Sequence, residues 1–186
     1  MNNRNNKKGF TLIELLVVMG ILGILMAVTI LVINPAQYLA RARDTQRIND
    51  LQAVNSAIAT FMANGGTLAN TTTTMATQGS MANVTPTTSV NAIRLTNNTG
   101  WVNGINLSTS GLSTLPMDPT NSGVYGYFYY SNGTDYELAA NSFESAYYTT
   151  APNQAGANDG GNSNSSCTAG ANGTCKYEVG SKLTLF

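Results

Sequence analysis

Histidine is missing from all 186 residues, and with it the usual general base at neutral pH and the commonest metal ligand. There is no nucleophile paired with an imidazole, no phosphate-cradling loop and no Cys/His metal cluster. Charge is scarce too, at 10% of the chain. Beyond Asn64 the carboxylates are Asp118, Asp135, Glu137, Glu144, Asp159 and Glu178, and only Asp135 with Glu137 would share a strand face in the manner of an acid–base pair. The same region has just Arg94, Lys176 and Lys182 against those six acids, a balance of −3 that opposes attraction to phosphate. The tract 158–164, NDGGNSN, offers oxygen ligands, but its spacing is not that of a helix-loop-helix calcium site and it holds one carboxylate. No catalytic residue, metal, cofactor or nucleic-acid partner is expected.

What the chain does have is apolar residues, 42% of the total, gathered unevenly between Phe10 and Phe61. From Phe10 to Ile33 there are 24 consecutive residues with Glu14 as the single charge, against the roughly 20 a helix needs to cross a bilayer. The run predicts a membrane-spanning helix. It is too long for the apolar core of about 7–15 residues in an ordinary cleaved signal peptide. The nearest small-x-small match, Ala40-Arg41-Ala42, lies seven residues past the run and has a basic centre. Arg4, Lys7 and Lys8 precede the run without balancing acid, which predicts a cytoplasmic amino terminus and an extracytoplasmic remainder after about Pro35.

Within the run, Gly20 and Gly23 weaken the helix, and Pro35 both removes a backbone donor and disfavours helical angles at Asn34, so a kink or local break is expected there. Helical spacing resumes in Leu51, Val54, Ile58, Phe61 and Met62, an apolar stripe that needs a partner surface. Upstream, Arg41, Asp44, Arg47 and Asp50 alternate in sign at three-residue steps. That pattern predicts a solvated, self-paired face, with a ladder meeting charges on neighbouring subunits as the alternative. Gly65-Gly66 ends the helix. Unbroken, Phe10 to Ala63 would measure roughly 80 Å.

The stretch from Asn64 to about Asn98 is dominated by Thr, Asn, Ala and Gly and predicts loop with at most short elements. Order resumes near Trp101. Leu115-Pro116-Met117-Asp118-Pro119 is a rigid turn, 124–130 (VYGYFYY) a strand, 131–134 (SNGT) a hairpin turn and 135–140 (DYELAA) the returning strand. Tyr125, Tyr127 and Tyr129 fall on one side and are expected to pack on a helix with hydroxyls at the rim. Cys167 and Cys175, with seven residues between them outside the cytoplasm, are expected to form a disulfide, worth about 2.5 kcal/mol by loop entropy. Residues 176–186 read as a final strand interrupted at Gly180.

Lys7-Lys8-Gly9-Phe10-Thr11-Leu12-Ile13-Glu14, followed by the apolar run and the amphipathic continuation to about residue 63, resembles the amino terminus of type IV prepilins and pseudopilins. LPMDP, the tyrosine-rich strand and YELAA resemble a region of some bacterial pilins and major pseudopilins, although Pro35 lies a little farther along than the helix-breaking proline of many pilins. The resemblance implies an α+β fold: a long N-terminal helix, membrane-spanning in its first half and amphipathic in its second, packed on a small antiparallel sheet. It implies a cleaved leader (1–9), a filament-core helix (10–35), an amphipathic helix (36–64), an exposed αβ loop (65–100) and a sheet region with a disulfide-bounded loop (101–186). It also implies a peptidase that cuts after Gly9 and methylates the amine of Phe10. Glu14 would then pair with that amine on a neighbouring subunit of a helical homopolymer. The other partners implied are an assembly platform and its ATPase, with the inner membrane holding the precursor before an extracellular filament forms. Within this resemblance the alternatives are a surface pilin, a pseudopilin of a type II secretion or DNA-uptake system, and a minor adhesin pilin.

Overall fold

The computed structural model describes residues 9–71, 74–76, 84–86, 94–121, 123–161, 169 and 175–185. The chain divides into two compact units, Met1–Ala36 and Gln37–Phe186.

The first unit is built on helix α1, Leu12–Ile33. Thr11 precedes it in an extended conformation (φ −78°, ψ 153°) and caps it reciprocally with Glu14. Gly20 and Gly23 lie inside the continuous helix, because the surrounding Leu, Ile, Val and Met side chains keep the backbone helical despite two weak positions. The helix stops at Asn34, which takes a left-handed conformation (φ 44°, ψ 75°). Proline at 35 makes right-handed helical angles unfavourable for the residue before it, and asparagine tolerates the left-handed region better than most residues. The apolar side chains of α1 are open on all sides, from Leu12 at 82% exposure to Leu22 at 42%.

Pro35 then opens helix α2, Pro35–Ala63, where its missing N–H removes no intrahelical bond. Leu51, Val54, Ala57 and Ile58 are buried on one face of α2. They share a core with Trp101, Ile105, Leu115, Tyr127, Tyr129, Leu138 and Phe143. Of the expected stripe, Phe61 packs against this core at its edge and Met62 is exposed. Past Ala63 the amides of Gly65 and Gly66 donate back to the carbonyls of Met62 and Phe61, both at 3.0 Å. Gly65 does so at φ 83°, where a side chain would be strained.

Five strands form one sheet: β1 (Thr74–Ala76), β2 (Val84–Pro86), β3 (Tyr127–Ser131), β4 (Tyr136–Ala140) and β5 (Tyr177–Gly180), in the order β2-β1-β3-β4-β5. Pairing is antiparallel from β1 through β5, and β2 adds a parallel strand at one edge. The central hairpin pairs Tyr127 with Ala140 and Ser131 with Tyr136. Its turn is held by Asn132, whose Oδ1 accepts from the amides of Thr134 (2.9 Å) and Asp135 (2.7 Å). β3 starts three residues later than the expected strand, at Tyr127. β5 ends at Gly180, well short of the expected 186. There the Ser181 amide bonds the Tyr136 carbonyl at 3.0 Å and the Leu185 amide bonds the Glu137 carboxylate at 2.6 Å, which leads the chain off the ladder. Two single-turn helices, α3 (Ala146–Thr149) and α4 (Ala155–Asn158), lie between β4 and β5 in sequence.

Candidate processing and assembly segment

Gly9, Phe10, Thr11 and Glu14 lie at and just before the start of α1. Gly9 and Phe10 precede the helix and are exposed, Phe10 at 94%. A Cβ on Gly9 would meet nothing within 4 Å. The peptide bond between them lies outside the helix and between two exposed residues. Glu14 lies one turn on. Its Oε2 accepts from the Thr11 amide and the Thr11 hydroxyl, both at 2.8 Å, and the Glu14 amide donates to Thr11 Oγ1 at 3.3 Å. Two backbone donors at the helix start, the amides of Thr11 and Glu14, are thus satisfied reciprocally by the two side chains, and the carboxylate faces the positive end of the helix. Thr11 enters the sequence motif only by its place, yet T-x-x-E ahead of an apolar run is a readable signal of such a cap.

Leu12–Ile30 is long and apolar enough to cross a membrane. Against known families, the model of the prokaryotic N-terminal methylation motif matches residues 4–30. The chain carries this motif. Searches of curated proteins and of solved structures found no match. The methylation motif supports a type IV pilin-like or pseudopilin-like precursor and points to a structural protein. An N-terminal apolar helix behind such a motif fits a membrane-anchored precursor. Of the residues singled out from the sequence, the motif spans Gly9, Phe10, Glu14, Gly20 and Gly23, while Pro35 lies beyond it.

The alternating charges of α2 correct their sequence reading. Asp44 and Arg47 are neither a solvated face nor free to meet another subunit: both are fully buried. Arg47 donates to Asp44 Oδ1 (2.6 Å), to both oxygens of Asp118 (2.7 and 3.0 Å) and to Glu144 Oε1 (2.7 Å). Asp44 accepts the amides of Glu144 and Ser145. Arg43 closes the cluster through a salt bridge to Glu144. Asp118 is the acid of the LPMDP turn, and its Oδ1 also accepts the amides of Thr120 and Asn121. Two loops are thus clamped to one helix by charge.

Electrostatics follow from that geometry. Burial pushes the Glu144 carboxyl upward, but hydrogen bonds from Arg43, Arg47 and Thr120 outweigh it and hold the group down at about 2. Burial likewise lowers the Arg47 guanidinium, and its carboxylate partners, Asp118 first, raise it above the ordinary value overall. Tyr127 donates to Asp50 Oδ2 at 2.8 Å, and burial raises Asp50 above the usual carboxylate range despite that bond. Tyr125 takes the Arg47 guanidinium over its ring at 4.7 Å, so the tyrosine stripe packs and pairs with α2.

Asp135 and Glu137 do not form a paired acid site. Glu137 is buried on β4, holding the Leu185 amide, and Asp135 sits in the hairpin turn accepting from Ser181 Oγ at 3.1 Å. Asp159 of the 158–164 tract is committed to the amides of Gly161 (2.9 Å) and Glu178 (2.7 Å). Residues 162–164 lie outside the described residues. Among the described residues, no cluster of three or more His, Cys, Asp or Glu side chains is arranged to hold a metal. Cys175 is buried ahead of β5, with Sγ 3.6 Å from the Tyr148 carbonyl oxygen, and Cys167 lies outside the described residues.

Proposed function

We propose that this chain is the structural subunit of a type IV pilus-like surface filament. It is made as a membrane-anchored precursor, amino terminus inward, then cut after Gly9, methylated on the new amine of Phe10, and polymerised through α1. The observation that carries this reading is the methylation motif over residues 4–30, continuous with a helix whose apolar side chains are exposed on every face. Such a surface has two environments that suit it, lipid and a bundle of identical helices. Glu14 is the register element: in a dry bundle a displaced subunit would leave its carboxylate without the Phe10 ammonium of a neighbour. A platform protein and a cytoplasmic ATPase supply the extraction work, since nothing in the chain resembles a phosphate loop.

A disulfide from Cys167 to Cys175 holds the carboxy-terminal loop compact outside the cytoplasm, a reading supported by the lack of a free cysteine among the described residues. A second reading, a pseudopilin of a secretion or uptake system, is favoured by the LPMDP turn and the YELAA strand. Negative-stain microscopy of sheared cell-surface material with peptide mass spectrometry separates the two. Abundant long filaments of this chain support the pilin, and a trace constituent supports the pseudopilin. Within either reading, Glu14→Val is expected to insert and lose its leader yet form no filament, and normal filaments from it would refute the register role. Gly9→Leu is expected to remain at precursor length, and a mature-length band would place processing elsewhere.

A further inference from the structure

Outside α1, few large apolar side chains are exposed among the described residues, and two of them, Tyr38 and Tyr147, lie at one place. Tyr38 and Leu39 open α2, each 62% exposed, and Tyr147 of α3 is 38% exposed. Tyr38 and Tyr147 line a shallow pocket of about 220 Å³ together with Gln37, Arg41, Ser145 and Ala146. Arg41 is the odd arginine of α2. Arg43 and Arg47 are ion-paired, whereas Arg41 meets no carboxylate among the described residues. Its guanidinium carbon lies 3.6 Å from the centroid of the Tyr147 ring. A guanidinium stacked on an aromatic face keeps its N–H edge free for an outside acceptor.

We propose that Tyr38, Arg41 and Tyr147 form a phospholipid head-group site that seats the globular unit on the outer surface of the membrane while the precursor awaits assembly. This rests on the membrane-anchored reading of α1. Connectivity alone keeps the site within reach. Tyr38 follows Ile33 by five residues, at most about 18 Å of chain even when extended, and the head-group layer begins where the apolar span ends. Tyrosine and arginine are the residues suited to that layer: the ring body enters the acyl boundary, its hydroxyl stays wet, and the guanidinium takes a phosphate in a two-pronged bond. The selection of a lipid phosphate is local and works against the −3 balance beyond Asn64: the neighbouring Glu144 is already bonded to Arg43 and Arg47, which leaves Arg41 to an outside anion.

The test uses the full chain reconstituted in phosphatidylcholine vesicles containing about one third phosphatidylglycerol. Tyr147→Trp supplies the reporter, and the buried Trp101 is subtracted by reference to the unsubstituted chain. Lipids brominated near the glycerol are expected to quench the new indole about twofold or more. Arg41→Gln in that background is expected to abolish most of the quenching, while Lys182→Gln leaves it unchanged. A chain that resists alkaline carbonate extraction but shows no quenching overturns the inference. So does an indole shielded only as protein density rises, which would mean a second copy covers the site. A chain that fails to insert overturns the membrane-anchored reading, and this inference with it. If Tyr147→Trp does not fold, judged by circular dichroism, Tyr38→Trp reports on the same pocket with the same expected results.

Discussion

Arg47 holds a full charge with no exposed surface because three carboxylates, Asp44, Asp118 and Glu144, converge on its five N–H groups. Removing one partner from such a cluster leaves buried charge uncompensated, so Arg47→Ala is expected to cost about 3–5 kcal/mol in urea unfolding. Arg47→Lys is expected to recover only part of that loss, since an ammonium cannot bond Asp118 through two parallel donors. Glu144 predicts the acid limit. Its folded pKa of about 2 lies below the ordinary glutamate value, so its contribution is fully present above that ordinary value and is lost as pH falls toward 2. Asp50 acts in the opposite sense: its raised carboxyl favours the protonated form in the fold, and that contribution fades as pH rises through its folded pKa. Thermal melts across pH 2–5 are therefore expected to show a flatter acid-side slope for Glu144→Gln than for the unsubstituted chain.

Among the elements, the β3–β4 hairpin was legible because its residues carry the information locally: aromatic strand, Asn-Gly turn, returning strand. The stripe on α2 was equally legible from its period, since a helix exposes its buried face at fixed spacing. The end of β5 was not. Gly180 takes φ 158° with its α-carbon facing the Tyr136 carbonyl, and a Cβ there would overlap that oxygen and crowd the Cα of Glu137. Gly180 is legible as an interruption, but nothing local to residues 176–186 announces the neighbour on β4 that ends the strand there, so the expected strand runs on to the terminus. Gly180→Ala is expected to push β5 away from β4 at a cost of about 1–3 kcal/mol, read as a lowered urea midpoint with faster amide exchange at Val179. An unchanged midpoint would show that the two strands separate without loss.

Across the two units, burial is wholly on one side. Among the described residues α1 contributes no buried side chain, and the buried apolar residues, from Ala40 to Cys175, all belong to the second unit. A chain lacking residues 1–36 is accordingly expected to fold with an unaltered cooperative melt and to leave the membrane fraction. Loss of the cooperative transition would show that α1 supports the core. The apolar run, the cap of Thr11 and Glu14 and the stripe on α2 could all be read from the amino-acid order, because span length, capping and helical period depend on neighbours a few residues away. The fate of the charges could not. Whether Asp44 and Arg47 face water or lie buried depends on Asp118, 71 residues beyond Arg47, and on Glu144, 97 residues beyond it. An ion leaves water only when partners from distant loops arrive together, and folding alone brings them there.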